Sequence, residues 1–192
     1  MASDLLENEV YVQLMTVLRP CAAYPTGRIL LSRWLTGDFA NRYTGLWGKV
    51  EPSDLTQPDG LLRIAKSHGE TCRHPLLDAP LESLKLVAVF QFDVPVEDNT
   101  ECIYLLEVGN SDIVEEWKDC GRVNRPDGAV GDEWCCEWFD LDKIPYSRMP
   151  ADDVLWYPLV LAGKLLRGTF KFKGEPKYTV KQYEITEVEG HL

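Results

Sequence analysis

A chain of 192 residues, 45% hydrophobic and 27% charged, has the size and make-up of one ordinary globular domain able to bury a core. It contains no run of about twenty apolar residues, so no membrane-spanning segment is expected. A formal charge of −11 opposes a nucleic-acid polymer as partner, since phosphate backbones repel acidic surfaces; a small nucleotide is still compatible, because local charge decides that case.

The opening, MASDLLENEVYVQLM, places acids before any apolar stretch and reads as no secretory signal. Six cysteines (Cys21, Cys72, Cys102, Cys120, Cys135 and Cys136) form no CxxC and no zinc spacing. Together these features point to a reducing, intracellular and cytoplasmic setting.

Val10–Leu18 is an apolar, β-branched run that predicts a buried strand, and Pro20–Gly27 breaks it as a hairpin loop would. Arg28–Trp34 predicts a second strand, followed by a polar loop holding Gly37, Asn41 and Gly45. Gln57–Ser67 predicts a helix, with Thr56 as N-cap, Pro58 in the first turn, and Leu61, Leu62, Ile64 and Ala65 on its apolar face. Leu84–Val94 and Glu101–Val108 predict two more strands. Asn110–Gly131 shows no periodicity and reads as an irregular excursion; its Ile113, Val114 and Trp117 could form an interface with a protein partner. Leu155–Arg167 predicts a second helix stopped by Gly168, with Pro158 either in its first turn or bending it. Phe170–Phe172 and Lys177–Val188 predict closing strands. Strands interleaved with two helices imply an α/β or α+β sandwich in a single domain spanning residues 1–192.

Two stretches carry a resemblance. Glu137–Val188, reading EWFDLDKIPYSRMPADDVLWYPLVLAGKLLRGTFKFKGEPKYTVKQYEITEV, closely resembles the C-terminal half of the Nudix hydrolases that remove oxidised purine nucleoside triphosphates, the MutT-type 8-oxo-dGTP diphosphatases. Gly48–Glu70, reading GKVEPSDLTQPDGLLRIAKSHGE, lies on the family's box, Gx5Ex7REUxEExGU, without a gap. The resemblance implies a Nudix-type α/β/α sandwich with a mixed β-sheet.

Within the box the resemblance fails where the chemistry is made. Glutamates at i, i+3 and i+4 of a helix project together and give a magnesium ion the hard oxygen ligands it needs. Here the first glutamate becomes Asp54, the Arg-Glu pair becomes Leu62–Arg63, and the Glu-Glu pair becomes Lys66–Ser67. Sliding the register by one gives Ile64, Ser67 and His68, so no residue from Leu61 to His68 is a carboxylate in any alignment. A dication there would meet two cations, Arg63 and Lys66, and no ligand. Those two are either solvated surface cations or direct holders of anionic phosphate in place of the metal.

Other family positions transfer one at a time. Asp152 and Asp153 match an aspartate pair that faces the purine base, although Asp is also a good N-cap for the helix that follows. Thr44 stands for an asparagine that reads the base edge, Pro150 for a stacking tryptophan, Trp34 for a pocket lysine, Asp38 for a pocket phenylalanine and Trp47 for a glycine. Phe90 and Phe92 keep an aromatic strand, which core packing explains equally well. Glu133 matches a loop glutamate that helps at the metal.

The expectation is a catalytically impaired or non-catalytic Nudix protein that binds a small nucleotide through Thr44, Arg63, Lys66, Phe90, Asp152 and Asp153, or a protein partner through residues 110–131, with no catalytic residue and no cofactor. The first alternative is an active diphosphatase using magnesium on relocated ligands, Asp54 and Glu133. The second is a scaffold subunit that docks through residues 110–131.

Overall fold

A computed structural model describes residues 9–34, 40–51, 54, 60, 81–94, 99–108, 120–123, 134–173 and 179–192. Ten strands form one mixed sheet: β1 (Glu9–Leu18), β2 (Arg28–Trp34), β3 (Tyr43–Thr44), β4 (Leu46–Lys49), β5 (Leu84–Asp93), β6 (Asn99–Val108), β7 (Cys120–Val123), β8 (Trp134–Asp140), β9 (Leu165–Lys173) and β10 (Thr179–Val188). Their order is β10-β9-β5-β6-β1-β2-β8-β7, with β3 paired to β2 and β4 to β1. The β1–β6 and β5–β9 pairs are parallel and the others antiparallel. Among the described residues, the helix α1 (Asp153–Leu161) lies on the sheet. The architecture is α+β and sandwich-like, as expected.

Strand β1 sits at the centre because its side chains are apolar on both faces, which suits a strand covered on both sides. Alternate residues feed two cores. Met15, Val17, Ile29, Leu31, Phe90, Phe92, Ile103 and Leu105 pack beneath Trp156, Tyr157 and Val160 of α1. Val12, Leu14, Leu30, Leu46, Cys102, Tyr104 and Leu106 pack on the opposite face.

The predicted strands at Val10–Leu18, Arg28–Trp34, Leu84–Val94 and Glu101–Val108 appear within two residues of their expected limits. Three readings need correction. The second helix ends at Leu161, not Arg167, and Leu165 and Leu166 begin β9. Gly163, with φ 87°, closes it in a Schellman motif: its N–H reaches the Val160 carbonyl at 2.8 Å, and the Lys164 N–H reaches that of Leu159 at 3.1 Å. Gly168 instead lies inside β9, so close to β10 that a Cβ would sit 2.4 Å from the Glu184 carbonyl oxygen. Pro158 falls in the second turn of α1, where its side chain is exposed.

The polar loop after β2 also contains more structure than its composition suggests, since Tyr43–Thr44 and Leu46–Lys49 pair with β2 and β1. The stretch read as irregular holds β7, paired with β8. The helix expected over Gln57–Ser67 lies outside the described residues, apart from Gly60. Among the described residues, no helix is long and apolar enough to cross a membrane.

Candidate functional site

The face of the sheet beneath α1 is apolar along most of its length and turns polar at one end. On β1 the residues pointing that way run Tyr11, Gln13, Met15, Val17; on β6 they run Glu101, Ile103, Leu105. Gln13 is 2% exposed, so a primary amide lies fully buried at the edge of a hydrophobic core. The start of α1 brings Asp152 and Asp153, 6% and 2% exposed, over the same end.

A buried amide must be satisfied, and here each neighbour plays one part. The Gly45 N–H donates to Tyr157 Oη at 3.0 Å. Tyr157 Oη in turn lies 2.5 Å from the Gln13 amide, and Thr44 Oγ1 lies 3.1 Å from it. With the amide oriented to satisfy all partners, Gln13 Oε1 accepts from Tyr157 and Thr44, and Gln13 Nε2 donates to Glu101 Oε1 at 2.7 Å. The Trp47 indole, stacked on Tyr11 with centroids 4.5 Å apart, also donates to Glu101.

The aspartate pair does not cap its helix. Asp152 makes no side-chain cap bond; its Oδ2 accepts from Trp156 Nε1 at 3.1 Å. Asp153 Oδ2 is buried and has no hydrogen-bond partner. The capping explanation for the pair therefore fails, and an unsatisfied acid oxygen faces its neighbours.

Electrostatics binds the three acids into one unit. Burial, then repulsion from Asp152, pushes the Glu101 carboxyl up to about 8, although the Trp47 hydrogen bond opposes this. Burial raises Asp152, partly offset by Trp156. Burial together with the charges of Asp152 and Glu101 holds Asp153 well above the usual carboxylate range. Burial, then Asp153, raises the Tyr157 phenol well above its ordinary value. With its carboxyl raised to about 8, Glu101 keeps its proton at neutral pH, so the unit can offer a ligand both an O–H donor and carboxyl acceptors.

Of the residues singled out from sequence, Thr44, Asp152 and Asp153 come together here. Phe90 is fully buried, opposite Glu101 across the β5–β6 ladder, with its ring 5.4 Å from that of Trp156. Its place is at the boundary of the core and the polar unit. Arg63, Lys66, Asp38 and Glu133 lie outside the described residues. Asp54 is half-buried, with its N–H donating to the Glu51 carbonyl at 2.9 Å. The Pro150 carbonyl accepts from the Asp153 N–H at 3.2 Å.

Among the described residues, no three His, Cys, Asp or Glu side chains converge to hold a metal ion. With no carboxylate between Leu61 and His68, the donor set does not fit the magnesium cage of the box. Sequence reading missed Gln13, Glu101 and Tyr157. The signal was present in Gln13, a polar residue whose same-face neighbours, Tyr11 and Met15, are apolar or aromatic, and was weaker in Glu101, which lies between Asn99 and Ile103.

No family model matches the chain. It is 28% identical over 163 residues to the oxidized purine nucleoside triphosphate hydrolase of Danio rerio, covering 85% of this chain and 89% of that protein. It is 24% identical over 177 residues to the protein of the same name from Mus musculus, covering 92% and 94%. Its fold matches the crystal structure of a MutT protein from Bacillus halodurans with a TM-score of 0.59 at 15% identity, over 92% of this chain and 97% of that one. Sequence and fold together establish the resemblance of this chain to the Nudix hydrolases.

Proposed function

We propose that this protein binds a nucleotide through its Nudix fold and hydrolyses it weakly or not at all. The observation that carries this reading is the buried Asp152–Asp153 pair, set against Gln13, Thr44 and Tyr157 with one carboxyl oxygen unsatisfied. A nucleobase edge supplies the N–H donors and ring acceptors that such a group pairs with. The resemblance to oxidised-purine triphosphate hydrolases supports a purine as that base. Arg63 and Lys66, at i, i+3 of the box segment, then hold the phosphates in place of the missing metal. Cys21 and Cys102 remain as thiols, which fits the reducing cytoplasmic setting inferred from the sequence.

Calorimetric titration of the purified protein with purine nucleoside triphosphates, in chelator and without metal, tests the reading. The expected result is saturable binding that weakens at least about tenfold in Asp153→Asn, roughly the loss of one buried hydrogen bond. Absence of binding to the unaltered protein contradicts the proposal.

The second reading is an active diphosphatase with relocated ligands, Asp54 and Glu133. It is favoured by the curated relatives, both named as hydrolases.

A further inference from the structure

The aspartate pair has a third carboxyl beside it. Glu101 comes from β6, in the middle of the sheet, and two neutral groups hold its oxygens. Gln13 Nε2 donates from β1 at 2.7 Å, and the Trp47 indole donates from β4. Both contacts hold Glu101 as an acceptor. The acids facing it from α1 are Asp152 and Asp153, with the Tyr157 hydroxyl beside them. From β5 it faces the uncharged Phe90, and from β1 also Tyr11. Among the described residues, no lysine or arginine stabilises any of the three carboxyls. Such a group keeps its protons when no cation is near, and ionises only when a positive charge compensates it. The buried, unpartnered Asp153 Oδ2 marks where a ligand completes it.

We propose that Glu101 is a specificity-determining residue that turns this pocket toward a positively charged nucleobase, an N-alkylated purine in preference to its neutral parent. This rests on the nucleotide-binding reading above. The alkylated ring brings the missing positive charge, and its N–H groups meet the carboxyl oxygens. The surrounding aromatic side chains also favour a cationic ring over a neutral one. Trp47 and Gln13 are then positioning residues that fix the Glu101 carboxyl. Binding such a base ionises Glu101, so a proton leaves the protein as the ligand enters.

Titration calorimetry with 7-methylguanosine triphosphate and with guanosine triphosphate, at about pH 6.5 where a carboxyl of raised affinity for protons is still protonated, tests this. Buffers of different ionisation enthalpy report the protons released. The full chain should prefer the methylated nucleotide at least about tenfold and release close to one proton on binding it, while Glu101→Gln, which keeps shape and polarity, should lose both the preference and the release. Thermal melting verifies that the variant is folded, and Glu101→Met serves as a second variant if it is not. Equal affinity for the two nucleotides, or the same proton release in a folded variant, overturns the role of Glu101 alone. Binding of neither nucleotide overturns the nucleotide reading along with it.

Discussion

Tyr157 connects the core to the site. Its ring is fully buried against Trp156, while its hydroxyl accepts from Gly45 and donates to Gln13. Tyr157→Phe keeps the packing and removes one hydrogen bond from each partner, while Gly45 N–H and Gln13 Oε1 keep each other at 2.9 Å. Such a loss costs about 0.5–1.5 kcal/mol per bond, measurable by urea denaturation. A smaller change would show that water replaces the hydroxyl.

Glu101 makes stability depend on pH. Its carboxyl is raised from 4.5 to about 8 in the fold, so folding favours the protonated form. Its contribution is full below about pH 4.5, declines as pH rises, and is lost above about 8. Asp152 and Asp153 shift in the same direction. Melting temperatures across this range should therefore fall with rising pH in the wild type relative to Glu101→Gln. Parallel curves would contradict the raised affinity for protons. None of this is visible in the acid count of the sequence, where Glu101 is one of 31 Asp and Glu residues. Its character comes from the strands and helix that surround it, and those are distant in sequence.

At the scale of elements, the long strands β1, β2, β5 and β6 were legible and the helix end was not. Val10–Leu18 and Arg28–Trp34 declare themselves through β-branched and apolar runs bounded by Pro and Gly. After Leu161, however, Leu165 and Leu166 continue an apolar pattern at helical spacing, and Gly168 offers a plausible stop. Periodicity cannot separate the end of a helix from the start of a buried strand when both supply leucines. The decisive residue is Gly163, whose φ of 87° permits the Schellman turn. Alanine there meets no atom within 4 Å, so Gly163→Ala costs only the backbone strain, about 1 kcal/mol. Gly168→Ala drives a methyl into the Glu184 carbonyl and should destabilise by more. Thermal denaturation of the two variants compares them directly, and the reverse order would place the helix end at Gly168.

At the scale of the whole molecule, the fold resembles that of a MutT protein, while no carboxylate stands between residues 61 and 68. The mixed sheet, the helix laid across it and the buried aspartate pair are built from residues outside 51–70. Sequence therefore showed the fold and the lack of carboxylates over residues 61–68 plainly, both being matters of local pattern. It showed half of the site: Asp152, Asp153 and Thr44 were found by resemblance. Gln13, Glu101 and Tyr157 emerge only when β1, β6 and α1 are brought together. Trp47 belongs to both halves. As a replacement for glycine it looked like a departure, and in the fold it holds Glu101.

The account stands on the absence of acidic ligands between residues 61 and 68. Turnover is its most direct measure: purified protein with magnesium or manganese and a panel of purine nucleoside triphosphates, followed by release of pyrophosphate or phosphate. The predicted result is turnover absent or far below that of an ordinary enzyme, even at nucleotide concentrations that saturate the protein. Turnover near the ordinary enzyme median of about 10 s⁻¹ would contradict it.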